Sequence, residues 1–157
     1  MATLFISDLH LDPDRPDIID HFLAFLDGDA QGADALYILG DLFEAWIGDD
    51  DPEPAKRRVV QAIKDYSRSG PPCYFMHGNR DFLTGQVFAS RAGVKILPDP
   101  SVVDLNDTKV LLMHGDTLCT DDTEYQAFRS MVRDPIWQQH FLEQSLEHRQ
   151  AMAAQAR

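Results

Sequence analysis

Basic residues are scarce in this chain. Its 157 residues hold 14 Lys and Arg against 26 Asp and Glu, a formal net charge of −12. Proteins that grip nucleic acid present a basic stripe to the phosphate backbone, so this balance argues against that class. An acidic protein that handles phosphates needs metal cations to do so. Cysteine is nearly absent too. Cys73 and Cys119 lie far apart, in neither CxxC nor zinc spacing, and read as buried or idle thiols in a reducing compartment. No run of about 18 apolar residues occurs, so no membrane-spanning helix is expected. Met1-Ala2-Thr3 leads straight into a strand-like run, without the basic region or apolar core of a secretory signal. The expectation is a soluble, cytoplasmic, single-core chain. Glutamate is the last scarcity: 21 of the acids are Asp and only 5 are Glu. Aspartate suits caps, turns and hard-metal sites, so most of these must be solvated caps; the question is which few are not.

What is present alternates. Leu4-Phe5-Ile6 is a short apolar run that stops at Ser7-Asp8, as a buried strand would. Pro16 opens a helical face of Ile18, Ile19, Phe22, Leu23 and Leu26 that ends at Asp27-Gly28. Ala35 to Leu39 is a second strand running into Gly40-Asp41, and Pro54 precedes a helix bearing Val59, Val60, Ile63 and Tyr66. Cys73 to Met76 is a third strand, followed by a short helix over Gln86 to Ala92 and a strand over Val94 to Leu97. Val102 to Leu105 and Lys109 to Met113 flank Asn106-Asp107-Thr108 as a hairpin. From Asp122 onward the pattern is helical, with Asp134-Pro135 separating two helices and little to bury after Glu143. This order predicts an α/β fold with a largely parallel sheet.

Four apolar runs end in small polar clusters: Asp8-Leu9-His10, Gly40-Asp41, Gly78-Asn79-Arg80-Asp81 and His114-Gly115-Asp116. Taken singly, each has an ordinary explanation as a turn, a cap or a buried imidazole. Jointly they do not, because sites in open α/β sheets form outside the carboxyl ends of parallel strands. If the strands run parallel, Asp8, His10, Asp41, Asn79 and His114 offer carboxylate, imidazole and amide groups to one cavity.

The series D-x-H, G-D-x-x-E (Gly40 to Glu44), G-N-R-D and H-G-D resembles the calcineurin-like metallophosphoesterase superfamily. Within it the closer likeness is to pyrophosphatases of lipid A biosynthesis, carried by FISDLHL from Phe5, YILGDLFEAWIG from Tyr37, MHGNRDFL from Met76 and LLMHGDTLC from Leu111. The resemblance implies a layered α/β sandwich and two metal ions, typically manganese. Asp8, His10 and Asp41 would hold one ion, and Asp41 would bridge to a second held also by Asn79 and His114. Asp41, Asn79, Arg80 and His114 would then be the catalytic group. Many relatives carry His where Arg80 stands. Arginine is no proton donor but suits phosphate oxygens. A phosphate leaving group, with a second pKa of about 6, needs no acid, so Arg80 points to cleavage of a phosphoanhydride.

The resemblance further implies a UDP-linked diacylated glucosamine lipid as substrate, with Asn79, Arg80, Asp122 and Tyr125 touching it. It implies a core over residues 1–120, a helical lid beginning over 121–157, and peripheral attachment to the cytoplasmic face of the inner membrane. Asp122 reads equally as a helix N-cap. Phe43, Trp46, Phe82, Phe128, Met131 and Trp137 lie near the expected mouth, suited to acyl chains or to a core. The family pattern closes with a G-H-x-H segment that this sequence lacks, and His140 and His148 read as surface residues. The lid is therefore expected to be incomplete, the chain an amino-terminal piece or truncated product, and metal binding and hydrolysis weak. A non-catalytic metal-binding remnant, or a phosphoesterase for other nucleotides or phosphodiesters, are the alternatives.

Overall fold

The computed structural model describes residues 2–155, so Met1 and the last two positions of the expected lid lie outside it. Strands β1 (Thr3–Ile6), β2 (Ala35–Ile38), β3 (Cys73–Met76) and β4 (Lys95–Leu97) form a parallel sheet in the order β1-β2-β3-β4. Helices α1 (Pro16–Asp27), α2 (Pro54–Ser69) and α3 (Gln86–Ala92) make the crossovers. Parallel neighbours require such crossovers, and the helical face foreseen on α1 is the one used, with Ile19, Phe22 and Leu26 buried.

The two-residue period of the strands divides the core in two. Leu36, Ile38, Cys73 and Phe75 face the helices, meeting Phe22, Val59, Ile63 and Phe88. Ala35, Tyr37 and Met76 face the other way, onto a hairpin of β5 (Ser101–Leu105) and β6 (Thr108–Leu112) whose Leu112 joins them. Both faces of β2 are covered, which is why it reads as an unbroken apolar run. The α/β sandwich is therefore layered helix, sheet, hairpin.

Three expectations need correction. The fourth apolar run, an arm of the hairpin expected there, does not join the parallel sheet: β5 and β6 pair antiparallel in a sheet of their own. Asn106 and Asp107, both with positive φ, form a turn that returns the chain on itself. β1 is an edge strand rather than a buried one, and Phe5 is 41% exposed while stacking on Tyr37 at 5.1 Å. Beyond α4 (Thr123–Val132) and α5 (Pro135–Leu142), the segment judged to have little to bury forms a third helix, α6 (Leu146–Gln155). It is anchored by a buried cation: Arg149 is 2% exposed and donates to both Asp50 carboxylate oxygens at 2.8 and 2.6 Å and to the Ile47 carbonyl at 2.7 Å. Among the described residues no helix is long and apolar enough to cross a membrane.

Candidate metal centre and cleft

The loops leaving β1 and β2 stay hydrogen-bonded beyond their strands. Asp8 N donates to Gly40 O at 3.1 Å, His10 N to Asp41 O at 3.0 Å and Leu11 N to Leu42 O at 2.8 Å. This zipper sets Asp8 and His10 beside Asp41. All three occupy the left-handed region, with φ of 56°, 48° and 52°. That conformation is unusual outside glycine and clusters at functional sites, although Asp and His tolerate it better than most. The β3 loop approaches from the other side. A Cβ on Gly40 would stand 2.6 Å from Gly78 Cα and 2.7 Å from His114 Nδ1, so only glycine lets the three loops close.

Beneath them sits Asp81, wholly buried. Its carboxylate accepts from the backbone N–H groups of Gly78, Asp41, Leu42 and Phe43 at 2.9, 3.2, 2.8 and 3.4 Å, tying the β2 loop to the β3 loop. Burial pushes its pKa up to about 6, against the pull of these donors. In the sequence Asp81 is simply the last residue of G-N-R-D, and an acid in a loop that follows a buried strand is its sole signal.

The five expected ligands converge. Ligand atoms of Asp8, His10 and Asp41 all lie within 4.8 Å of one another. His10 Nε2 is 3.7 Å and His114 Nε2 3.6 Å from the same oxygen, Asp41 Oδ2. Two atoms bound to one ion at about 2.1 Å each, a quarter to a third of a turn apart, are separated by about 3.0–3.6 Å, so the spacing suits a shared cation. Arg80 N donates to Asp41 Oδ1 at 2.8 Å, which leaves Oδ2 for that purpose. Burial raises the Asp41 pKa, and a cation would compensate that carboxylate's lost hydration.

The outer ring nitrogens sharpen this reading. His114 Nδ1 lies 2.8 Å from the Leu39 carbonyl and His10 Nδ1 2.8 Å from a Glu44 carboxylate oxygen. Those oxygens can only accept, so both rings carry a proton on Nδ1 and turn Nε2 inward. His114 Nε2 then faces Asn79 Oδ1 at 3.0 Å and Asp41 Oδ2, three electron-rich atoms in one place. A cation among them, or an Asn79 amide turned to offer its N–H to the ring, satisfies such a convergence.

The calcineurin-like phosphoesterase model matches residues 1–152. The chain belongs to that family. Its chemistry implies a divalent metal, and the oxygen and nitrogen donors gathered here fit one. The UDP-2,3-diacylglucosamine hydrolase of Stenotrophomonas maltophilia (strain K279a) is 62% identical over 157 residues, covering 100% of this chain and 63% of that protein. The UDP-2,3-diacylglucosamine hydrolase of Xanthomonas axonopodis pv. citri (strain 306) is 61% identical, covering 100% and 64%. The chain thus spans a little under two thirds of the length of these curated relatives. Among solved structures, a protein of unknown function from Aquifex aeolicus, AQ665, superposes with a TM-score of 0.49 at 18% identity, covering 97% of this chain and 69% of that one.

Sharing Asn79 with this cluster is a cleft of about 300 Å³ lined also by Arg80, Trp46, Phe82, Phe128 and Trp137. Four of the six apolar residues expected at the mouth are there. Phe43 is instead a core residue, 1% exposed, and Met131 is 49% exposed outside that lining. Tyr125 reaches the cleft but gives its hydroxyl proton to Asp116 Oδ2 at 2.5 Å. Asp122 is exposed and caps α4 through Tyr125 N at 3.0 Å, and the cleft lining does not include it. His140 and His148 are exposed on the surface. Cys73 is buried, its thiol pushed up to about 12, and Cys119 is exposed.

Proposed function

We propose that this chain carries the metal centre of a UDP-2,3-diacylglucosamine hydrolase, releasing UMP and 2,3-diacylglucosamine 1-phosphate in lipid A biosynthesis. The observation that carries the reading is the junction of two unlike surfaces. A polar centre built from Asp8, His10, Asp41, Asn79 and His114 opens at Asn79 and Arg80 into a cleft walled by aromatic side chains. A substrate that joins a pyrophosphate to acyl chains spans both. The names of the curated relatives point the same way.

In this reading two ions, with manganese favoured by the mixed oxygen and nitrogen donors, would be held by Asp8, His10 and Asp41 and by Asp41, Asn79 and His114. When bound, such ions lower the pKa of water and neutralise charge on phosphoryl oxygens. Arg80 faces the cleft and orients the anhydride oxygens through its fork. Glu44 and the Leu39 carbonyl hold the two imidazoles in the ligating tautomer. Asp122 and Tyr125, at the start of a lid over residues 121–157, would contact the sugar nucleotide above a core over 1–120. The net charge of −12 disfavours nucleic acid as a partner, and a lipid substrate of this kind would be met at the cytoplasmic face of the inner membrane.

The test is release of UMP from the diacylated UDP-sugar with added manganese, in wild type and Asp41→Ala. Metal-dependent release that the substitution abolishes is the expected result. Preference for unacylated nucleotides or simple phosphodiesters would overturn the substrate. Metal binding without product would favour a non-catalytic metal-binding module.

A further inference from the structure

Helix α4 has little apolar attachment: Val132 is its buried residue, while Phe128 and Met131 are 43% and 49% exposed. Polar contacts fix its place instead, and they come from one face. Residues 125, 126, 129 and 133 recur at helical spacing and reach the loops of the metal centre. Arg129 Nε donates to Asp116 Oδ2 at 2.7 Å, and its Nη2 lies 3.5 Å from Asp99 Oδ2. Asp99 in turn accepts from the backbone N–H of His114 at 3.3 Å. Tyr125 and Gln126 hold the same segment, through the Asp116 carboxylate and the Asp116 carbonyl. At the end of the helix Arg133 donates to the Gly78 carbonyl at 2.8 Å, with its guanidinium 5.3 Å from the centre of the Phe82 ring.

The two arginines therefore grip the two loops that present Asn79 and His114. Arg133 holds the backbone one residue before Asn79. Arg129 reaches the His114 loop both through Asp116, two residues on, and through Asp99 at the His114 N–H. Apart from Arg133 over Phe82, these contacts are polar. The Asp116 side chain is 7% exposed, and its Oδ1 has no hydrogen-bond partner among the described residues while Oδ2 takes both Tyr125 and Arg129. A buried carboxylate held in this lopsided way depends on its cation, which makes Arg129 costly to remove.

We infer that Arg129 and Arg133 are positioning residues that couple the seating of α4 to metal binding, by setting the backbones that carry His114 and Asn79. This rests on the metal reading proposed above. Coupling of this kind is reciprocal: if seated α4 improves the metal site, bound metal must hold α4 in place to the same degree.

The test measures both directions on the full chain, with manganese alone as the ligand. Free Mn2+ is followed by electron paramagnetic resonance, and amide exchange over 123–132 is compared with and without the metal. Wild type should show Asp41-dependent Mn2+ binding and metal-induced protection of α4. Arg133→Met, whose partner is a neutral carbonyl and whose loss leaves no buried charge, should weaken binding about tenfold and lose that protection, with Arg133→Lys recovering part of both. Arg129→Met combined with Asp116→Asn should do the same without stranding a carboxylate. Arg58→Met, which breaks a surface pair with Asp20, should change neither. Unaltered Mn2+ affinity in the Arg133 and Arg129 variants, or metal binding to which α4 is indifferent, would overturn the coupling alone. Absence of Asp41-dependent binding in wild type would overturn the metal reading and the coupling with it.

Discussion

Replacing Gly78 with alanine isolates one physical effect at the candidate metal centre. The φ of Gly78 is not among the positive values, so alanine meets no backbone strain there. What it meets is Asp41: a Cβ at this position would stand 2.8 Å from Asp41 Cγ, with the Asp41 backbone N and Oδ1 nearer still. Carbon atoms rest about 3.5–4.0 Å apart, so the Asp41 side chain and the loop backbone that carries it must both retreat by about 1 Å. Ligand constellations tolerate about 0.5 Å, so the variant should bind Mn2+ at least tenfold more weakly. Overpacking of this kind costs about 1–3 kcal/mol, read as a lower urea midpoint at unchanged slope. Gly32→Ala supplies the contrast. Its φ is +78° and a Cβ there meets nothing within 4 Å, so it carries strain without collision. It should lose about 1 kcal/mol and leave Mn2+ binding alone. A Gly78→Ala protein with wild-type Mn2+ affinity would refute the claim that the β2 and β3 loops touch at Asp41.

Further outcomes follow from other contacts. Glu44→Gln removes the carboxylate that orients His10 and should weaken Mn2+ binding by about 10–100-fold while shifting the urea midpoint little. Phe128→Ala should raise KM for the diacylated substrate and leave Mn2+ affinity unchanged, since Phe128 lines the cleft and lies apart from the ligands. Arg149→Met should speed amide exchange over Leu146–Gln155, because that guanidinium is the buried anchor of α6. The same anchor titrates. Hydrogen bonding to Arg149 lowers the Asp50 pKa, so the contribution of this pair is present above the ordinary carboxylate range and is lost as pH falls through the lowered value. Exchange over α6 should accelerate in acid in wild type, and Asp50→Asn should remove that pH dependence.

Much of this molecule was legible in its residues. Helical faces such as Ile19, Phe22 and Leu26, and the two-sided burial of β2, follow from period and run length alone. The five converging side chains were visible because each lies where an apolar run ends, and strand ends are where loops meet. Position in a sheet was less visible. Leu4-Phe5-Ile6 reads as buried, yet it borders the sheet, since a short apolar run does not encode its neighbours. His114 reaches the site from a hairpin rather than a parallel strand, because the hairpin packs on the sheet face and ends beside the same loops. Least legible were polar residues whose partners lie far off in sequence. Asp81 serves backbone N–H groups 38 to 40 positions away, and Arg149 reaches Asp50 across 99. The local pattern of neither residue names its distant partner.

The most direct test is anomalous diffraction at the manganese edge from crystals of the chain soaked in Mn2+. The account predicts two peaks about 3.5–4 Å apart on either side of Asp41 Oδ2, one within reach of Asp8 and His10, the other of Asn79 and His114. Peaks at other carboxylates, or none beside Asp41, would contradict it.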